Sequence, residues 1–234
     1  MEKVKTGIEK LDTLLYGGFP KGRAYLISGE PGTGKTIFTL QFLKKGIELG
    51  ERCIYISIDE KPEHIIKNAE SLGWDLQSYL NKGQLKIFDF SNFFTNLTIE
   101  DTKSVTKVIG EIVNYVKEHK ATRLVIDPIA PLLFSQKSIT NVSEYIRKLI
   151  YQLEETDNCT TLLTSYVPVG SDKLSQHGIE EFAASGIILL RLVKEKSNVM
   201  RTIWIRKIRG TKFDLSEYNY EILNERGIVL RQPV

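Results

Sequence analysis

The chain has 234 residues, and its net charge of +3 arises from 32 basic and 29 acidic side chains. This length favours one large domain, and 41% hydrophobic with 26% charged residues is typical of a soluble globular protein. So small a net charge excludes nucleic-acid binding through bulk charge, and such binding would need a local patch.

Short, nearly continuous apolar runs predict strands at 24–28, 53–58, 85–88, 123–127 and 160–165. Runs without polar alternation are typical of strands that are buried on both faces of a parallel sheet. Apolar residues at helical spacing predict helices at 35–49, 62–72, 101–119 and 140–156. The alternation of strands with helices indicates right-handed βαβ units.

After residue 185 four apolar runs follow one another with short turns between them. This pattern predicts antiparallel strands that extend the sheet. No Pro/Gly/Ser-rich linker and no internal repeat interrupts the chain, so residues 1–234 are expected to form a single α/β domain.

Cys53 and Cys159 both lie in apolar runs, and we expect them to be core residues rather than zinc ligands or a disulfide. The charged first residues are unlike a signal peptide, and no apolar run is long enough to span a membrane. We therefore expect a cytoplasmic protein with no membrane partner.

The stretch GEPGTGKT at residues 29–36 matches the phosphate-loop pattern G-x-x-x-x-G-K-[ST] and lies between a predicted strand and a predicted helix. Its glycines let backbone N–H groups turn toward phosphate oxygens, and the start of the helix adds a positive dipole. Lys35 would contact the β- and γ-phosphates, and the Thr36 hydroxyl would bind Mg²⁺. Chance produces this pattern in on the order of 1% of chains of this length, so the sequence predicts nucleoside-triphosphate binding.

Acidic residues end two of the predicted strands. Asp127 closes the run RLVID and is expected to act on the magnesium side of the site, although a strand-ending Asp also commonly forms a turn. Asp59 and Glu60 follow the strand at 53–58. Ligands of parallel sheets lie at the carboxyl ends of the strands, so these two acids are candidates to activate the attacking water. Acidic residues are also favourable ahead of the N-terminus of the following helix, so the same two residues can serve both as helix-capping acids and in catalysis.

The segment WIRKIRGTKF at 204–213 ends a predicted strand with clustered positive charge. Because alternate residues of a strand share a face, one face is predicted to turn from apolar to cationic through Ile203, Ile205, Lys207 and Arg209. One interpretation is a solvated strand end, since Lys and Arg are mostly exposed. The other is a pair that binds an anion.

These motifs, in this order, resemble the KaiC-like ATPases of the RecA superfamily. The resemblance covers nearly the whole chain, through the stretches TGIEKLDTLLYGGFPKG (6–22), DEKPEHIIKNAESLGWDL (59–76), HGIEEFAASGIILLRL (177–192) and IRKIRGTKF (205–213). It implies a RecA-type P-loop NTPase core, with a mostly parallel sheet flanked by helices and a C-terminal antiparallel strand extension. It also implies a Mg²⁺-dependent ATPase that forms a homo-oligomeric ring, commonly a hexamer, with ATP between subunits.

The resemblance further implies that Lys207 and Arg209 reach from one subunit to the triphosphate of its neighbour. With Asp59, Glu60 and Lys35 they make up the predicted catalytic set. The other predicted ATP-binding residues are Gly29, Glu30, Pro31, Gly32, Thr33, Gly34, Thr36, Ile37, Ser71 and Thr211.

Two positions depart from the family pattern. The family usually has two Glu where this chain has Asp59 and then Glu60, so the choice of the water-activating acid stays open between them. Phe213 stands where the clock protein of the family has a His near the nucleotide, which leaves the base and ribose contacts open.

Two functions from different classes are compatible with these features. The first is an ATPase linked to DNA recombination or repair, as in the archaeal paralogues of the RadA recombinase, which contacts single-stranded DNA or a recombinase partner. Single-strand binders combine a basic groove with aromatic platforms, and the candidate residues in the loops are Phe134, Lys137, Tyr166, Lys173 and His177. The second is a nucleotide-gated signalling or assembly ATPase with protein partners and no DNA. A kinase that acts on itself has weaker support, because no hydroxyl is marked as an acceptor.

Overall fold

The computed structural model describes residues 1–91, 102–133, 139–156, 158–195 and 198–234. Two of the candidate DNA or partner residues, Phe134 and Lys137, lie outside these described residues. None of the helices within the described ranges combines the length and the apolar character that crossing a membrane would require.

A nine-stranded sheet with the order β11-β10-β9-β8-β3-β7-β6-β4-β5 forms the centre of the fold, and β1 and β2 pair separately. The strands are β1 (Lys3–Val4), β2 (Phe19–Pro20), β3 (Ala24–Gly29), β4 (Cys53–Ser57), β5 (Leu85–Asp89), β6 (Arg123–Asp127), β7 (Thr160–Tyr166), β8 (Gly186–Glu195), β9 (Asn198–Ile208), β10 (Glu217–Leu223) and β11 (Gly227–Pro233). The pairs from β8 through β3 to β5 are parallel, and the pairs from β8 to β11 are antiparallel. The predicted α/β fold with an antiparallel C-terminal extension is therefore confirmed.

The helices are α1 (Glu9–Leu14), α2 (Lys35–Glu48), α3 (Pro62–Glu70), α4 (Leu76–Asn81), α5 (Thr102–His119), α6 (Ile139–Glu154) and α7 (Glu180–Ala183). The four predicted helices correspond to α2, α3, α5 and α6, with ends that differ by at most two residues. Helix α4 was missed, although Asp75 caps it by accepting a hydrogen bond from the Ser78 backbone N–H at 2.9 Å. Helices as short as α1, α4 and α7 contain too few turns for a clear apolar periodicity.

The parallel strands are buried on both faces, which explains their nearly continuous apolar runs. Along β3, Tyr25 and Ile27 belong to one hydrophobic cluster, together with Phe38 and Phe42 of α2, whereas Leu26 belongs to the cluster on the other face. Both cysteines are buried and unpaired, as expected.

The register of the parallel strands brings their carboxyl ends together at one edge of the sheet. Gly29 of β3 pairs with Tyr166 of β7, and Ser57 of β4 pairs with Asp127 of β6. Strand β3 continues directly into residues 29–36 and then into α2. The phosphate loop, Asp127 and the acids after β4 thus share the edge at which ligands of parallel sheets lie.

A buried arginine ties α2 and the N-terminal segment to the sheet. Arg123 is fully buried, and it donates to both carboxylate oxygens of Glu51 at 2.9 and 2.8 Å and to the carbonyls of Lys5 and Phe42 at 2.7 Å each. These bonds offset the desolvation of the guanidinium. Gly46 of α2 leaves room for it, because an added Cβ would lie 2.4 Å from Arg123 Cδ.

The prediction that alternate residues of β9 share one face from Ile203 to Arg209 is wrong beyond Ile205. Ile188 of β8 pairs with Ile205, while the adjacent Ile187 pairs with Lys207, so β9 carries one extra residue at this point. Such a bulge turns the following residues to the opposite face. Ile208 therefore continues the buried face of Ile205, and Lys207 does not.

We predict that Gly46→Ala lowers the free energy of unfolding by about 2 kcal/mol, because the new methyl group overlaps an arginine whose hydrogen bonds fix its position. Urea denaturation measures the change. The matched control is Gly110→Ala in α5, where nothing lies within 4 Å of the added Cβ. Helix propensity alone should stabilise that variant by about 0.5–1 kcal/mol. Equal stabilities of the two variants would contradict the packing argument.

Candidate functional site

The phosphate loop has the backbone geometry that its glycines permit. Gly32 and Gly34 have φ angles of +81° and +89°, values that residues with side chains rarely adopt. An added Cβ on Gly34 would also lie 2.8 Å from the Cδ1 atom of Ile222. Gly34 is the N-cap of the 14-residue helix α2 and provides no side-chain cap. The first N–H groups of α2 therefore remain available to an anion.

Lys35 is buried within the loop, with 6% of its surface exposed. Its Nζ donates to the carbonyls of Gly29 at 2.8 Å and Glu30 at 3.0 Å, and it lies 4.6 Å from the centre of the Tyr166 ring. Burial lowers the pKa of Lys35 to about 8, although the charges of Asp127 and Glu30 act in the opposite direction. A cation desolvated to this extent favours an anionic partner.

Asp127 accepts hydrogen bonds from hydroxyl groups on three different elements. Thr36 of α2 donates to Oδ2 at 2.9 Å, Tyr55 of β4 donates to the same oxygen at 2.5 Å, and Thr164 of β7 donates to Oδ1. The residue is only 9% exposed, and these bonds offset the desolvation of its charge. Burial, and then the charge of Asp127, raise the pKa of Tyr55 well above its usual value, so the phenol stays a donor.

Thr36 and Asp127 supply the oxygen atoms that Mg²⁺ prefers as ligands. Because Thr36 donates its proton to Asp127, the lone pairs of the hydroxyl remain free for a cation. Within the described part of the chain, no group of three or more His, Cys, Asp or Glu residues could hold a metal ion unaided. A magnesium ion at this position would thus need phosphate oxygens and water as further ligands.

The two acids after β4 have different surroundings. Glu60 is half-buried, and its Oε1 accepts a hydrogen bond from Asn68 Nδ2 at 2.9 Å. Its backbone carbonyl accepts the hydroxyl proton of Ser57. Asp59 is exposed and makes no side-chain hydrogen bond with the residues that the structure describes. Partial desolvation, and then the charge of Asp127, raise the pKa of Asp59.

A cavity of about 470 Å³ adjoins Lys35, Thr36 and Asp127, whereas neither Asp59 nor Glu60 lines it. Its walls come from the phosphate loop, from α3 and from the antiparallel strands. Of the predicted site residues, those that line it are Pro31, Gly32, Gly34, Lys35, Thr36, Ile37, Ser71, Asp127 and Tyr166. Thr33 is instead fully buried, and its hydroxyl donates to the Glu30 carbonyl at 2.8 Å.

Arg201 of β9 and Ile222 of β10 also line the cavity, although no sequence pattern pointed to them. Arg201 Nε donates to the Gly32 carbonyl at 3.3 Å, and the Tyr220 hydroxyl donates to the Thr33 carbonyl. Arg201 and Gly32 are 169 residues apart in the chain. The order of the strands in the sheet brings them together, and a local motif search cannot detect that order.

Lys207 and Arg209 lie away from the phosphate loop of their own chain. On β8, Leu190 pairs with Gly29 at the loop, whereas the Ser185 carbonyl, five residues earlier, accepts the Arg209 backbone N–H at 2.8 Å. Five residues of strand span about 16 Å. The pair is therefore displaced toward the opposite edge of the sheet.

The two cations differ in exposure. Lys207 is half-buried, and its Nζ donates to the carbonyls of Glu181 at 2.9 Å and Ala184 at 2.8 Å. Burial, and then the charge of Arg209, lower the pKa of Lys207. Arg209 is exposed, and its guanidinium makes one hydrogen bond of 3.3 Å to the Phe182 carbonyl.

Thr211 and Phe213 follow the turn at Gly210 and are both half-buried. Phe213 packs against the hydrophobic cluster that contains Phe38. Neither residue lines the cavity at the phosphate loop of its own chain.

The segment 167–178 after β7 holds the remaining candidates for DNA or partner contacts. Tyr166, just before it, is occupied by its contact with Lys35, and Lys173 is exposed. The His177 backbone N–H donates to the carboxylate of Glu180 at 3.3 Å, and the Ser175 hydroxyl donates to the same carboxylate at 2.7 Å. Glu180 is 1% exposed, so the end of the segment is anchored on a buried acid.

A family model described as "ATPase: KaiC" matches residues 4–233. The circadian clock oscillator protein KaiC of Thermostichus vulcanus is 35% identical over 96% of this chain, and that of Synechococcus elongatus is 33% identical over 97%. The chain spans only 43% of the length of each of these relatives. A crystal structure of a KaiC-like protein from the hyperthermophilic archaeon Pyrococcus horikoshii is 35% identical, has a TM-score of 0.85 and shares 99% of both chains.

We predict that the affinity for ATP decreases above about pH 8. A phosphate-bound Lys35 must carry its proton, and its pKa of about 8 means that the free protein loses this proton above that pH. Each further pH unit should weaken binding by about tenfold, and binding should take up one proton. Isothermal titration calorimetry in buffers of different ionisation enthalpy measures both quantities.

The control for this prediction is Lys35→Arg, which keeps its charge throughout this range and should remove the pH dependence. Lys35→Ala should bind ATP weakly at every pH. A wild-type affinity that stays constant between about pH 7 and pH 9.5 would exclude a lysine with a lowered pKa as the phosphate ligand.

Proposed function

The chain belongs to the KaiC family of P-loop ATPases in the RecA superfamily, and from this we propose that it hydrolyses Mg·ATP at residues 29–36 within a ring-shaped homo-oligomer. The observation that carries the proposal is the separation of the charged groups. The phosphate loop, Asp127 and Glu60 lie at one edge of the sheet, and Arg209 lies toward the other. An arginine at the γ-phosphate accelerates hydrolysis in P-loop NTPases, and contact between two copies of the chain would bring Arg209 of one copy to the phosphate loop of the other.

In this proposal Lys35 and the N–H groups of the loop bind the phosphates of ATP. Thr36 and Asp127 would hold Mg²⁺, and the bound ion would neutralise charge that develops on the phosphate oxygens. Ser71 and Arg201 line the same cavity, and Arg201 brings an additional cation to it.

We assign the activation of water to Glu60 rather than to Asp59. The hydrogen bond from Asn68 to Oε1 holds the Glu60 carboxylate, and Oε2 remains able to accept a proton from water. Asp59 is exposed, and its shorter side chain lacks such a partner among the described residues. A general base must be held within hydrogen-bond reach of the water, which favours the longer and anchored acid.

Arg209 is assigned the role of a cation supplied to the neighbouring subunit. It is exposed, and a strand length of about 16 Å separates it from the loop of its own chain, which argues against a role in its own site. An arginine supplied in trans contributes about 10³–10⁵ in rate by stabilising charge in the transition state. Lys207 is assigned to the same interface, although its ammonium group already donates to the carbonyls of Glu181, within α7, and Ala184, just after it.

Two kinds of partner are candidates for the oligomer, another protein and single-stranded DNA. The KaiC relatives are named circadian clock proteins, which favours a nucleotide-gated assembly with protein partners, although the chain spans less than half of their length. The exposed Lys173 supports the other candidate, an ATPase that binds single-stranded DNA during recombination or repair, because a ring would repeat this charge once per subunit.

We predict that Lys35→Ala and Arg209→Ala are each inactive alone and regain ATPase activity when mixed. Lys35→Ala should lose ATP binding, whereas Arg209→Ala should bind ATP and hydrolyse it about 10³-fold more slowly. A mixed ring contains some interfaces that join an intact loop to an intact arginine. Steady-state phosphate release measures the recovery, and mass spectrometry of isotope-labelled subunits establishes that they exchange.

The matched control for Arg209 is Arg52→Ala. Arg52 is also exposed and also makes one weak bond to a carbonyl, that of His119 at 3.5 Å, but it lies at the start of β4. This variant should keep wild-type activity. Exchange of subunits without any recovery in the mixture of inactive variants would show that Arg209 does not act in trans.

We predict that, if DNA is the partner, affinity for labelled single-stranded DNA falls steeply between low and physiological salt. Lys173→Ala should then lower the magnitude of the slope of log affinity against log salt by about 0.7 for each phosphate contact that is lost. Lys82→Ala, an exposed lysine at the end of α4, is the control and should leave the slope unchanged. An absence of binding at low salt would instead favour a protein partner.

A further inference from the structure

Asn68 of helix α3 donates a hydrogen bond to Glu60, the acid after β4. No sequence pattern indicated a function for Asn68. We propose that Asn68 is a positioning residue for ATP hydrolysis, which holds the Glu60 carboxylate beside the wall of the phosphate cavity. This inference rests on the proposed role of Glu60 as the acid that activates water. It does not depend on the oligomeric state or on the partner.

The geometry links Asn68 to both the acid and the cavity. Asn68 Nδ2 donates to Glu60 Oε1 at 2.9 Å, and Asn68 itself lines the cavity that Lys35, Thr36 and Asp127 also line. One side chain therefore connects the wall of the phosphate site with the carboxylate.

Both ends of this hydrogen bond are attached to fixed backbone. The Ser57 hydroxyl at the end of β4 donates to the Glu60 carbonyl, which fixes the chain immediately after the strand. On α3, Ile65 and Ala69 are fully buried and pack against the core. Asn68 thus lies on a packed helix and Glu60 on a turn held by Ser57, while the hydrogen bond between their side chains is exposed to solvent.

The chemistry of the amide suits this role. An uncharged donor orients a carboxylate and leaves its charge intact, so the acid can still accept a proton from water. A lysine at this position would form an ion pair with the acid and make it a weaker base, and a carboxylate would repel it. The bond engages one carboxylate oxygen and leaves the other for the water.

The test compares Asn68→Ala with the wild-type protein. The kcat for ATP hydrolysis should fall by about tenfold, because the carboxylate is no longer held in position. The KM and the dissociation constant for ADP should stay within about twofold, since the phosphate loop is untouched. Asn68→Asp has nearly the same shape, but it removes the donor and adds a repelling charge, so its kcat should be lower still.

A double-mutant cycle separates positioning from a general effect on the fold. In the Glu60→Gln background, where the base is already lost, Asn68→Ala should lower kcat by less than about twofold. Glu70→Ala, an exposed position on the same helix, is the control and should leave kcat unchanged in both backgrounds. A tenfold loss that persists in the Glu60→Gln background would overturn the inference, as would a loss confined to KM or to ADP binding.

The failure of this inference is distinguishable from the failure of the assignment of Glu60. If Asp59→Asn abolishes hydrolysis while Glu60→Gln retains it, the assignment of the base is wrong. If Glu60→Gln abolishes hydrolysis and Asn68→Ala retains the wild-type kcat, the base is correct and the positioning role of Asn68 is wrong.

Discussion

The buried carboxylate of Asp127 is the group on which the geometry of the site depends. A charge that is 9% exposed is tolerated only where hydrogen bonds replace its hydration. Thr36, Tyr55 and Thr164 provide them from α2, β4 and β7, so the acid fixes the first turn of the helix after the phosphate loop relative to two neighbouring strands. Any displacement of one of these elements would leave part of the charge unsatisfied. The hydrogen bonds that this buried carboxylate requires therefore couple the positions of all three elements.

The direction of the strands imposes a second constraint. Parallel strands place all their carboxyl ends at one edge, so the loop and the acids that follow these strands collect there. Strand β9 is antiparallel to its neighbour β8, and its carboxyl end points away from that edge. Arg201, early in β9, therefore reaches the cavity of its own chain, whereas Arg209, just after the strand, does not. In the proposed ring, these two cations near the ends of one strand would therefore serve two different phosphate sites.

Features that depend on residues close together in the chain could be predicted from the sequence. The phosphate loop is a contiguous pattern, and the apolar runs of the parallel strands reflect burial on both faces, so residues 29–36 and the central strands could be predicted directly. Tyr55, Asn68 and Arg201 could not, because each owes its place to the pairing of distant elements. The face of Lys207 was also mispredicted, because strict alternation assumes a regular strand and one extra residue in β9 reverses it.

The environments of Lys207 and Arg209 indicate that the two cations are not equivalent. Lys207 has two good acceptors in the carbonyls of Glu181 and Ala184, and contact with a phosphate would require it to exchange these bonds for new ones. Burial and the charge of Arg209 make the charged form of Lys207 less favourable at this position, which lowers its pKa. Arg209 carries a permanent charge, is exposed and gives up only a single long hydrogen bond. In the proposed ring, the net gain from contact with a neighbouring phosphate is therefore greater for Arg209, and Lys207 is better suited to support the turn that carries Arg209.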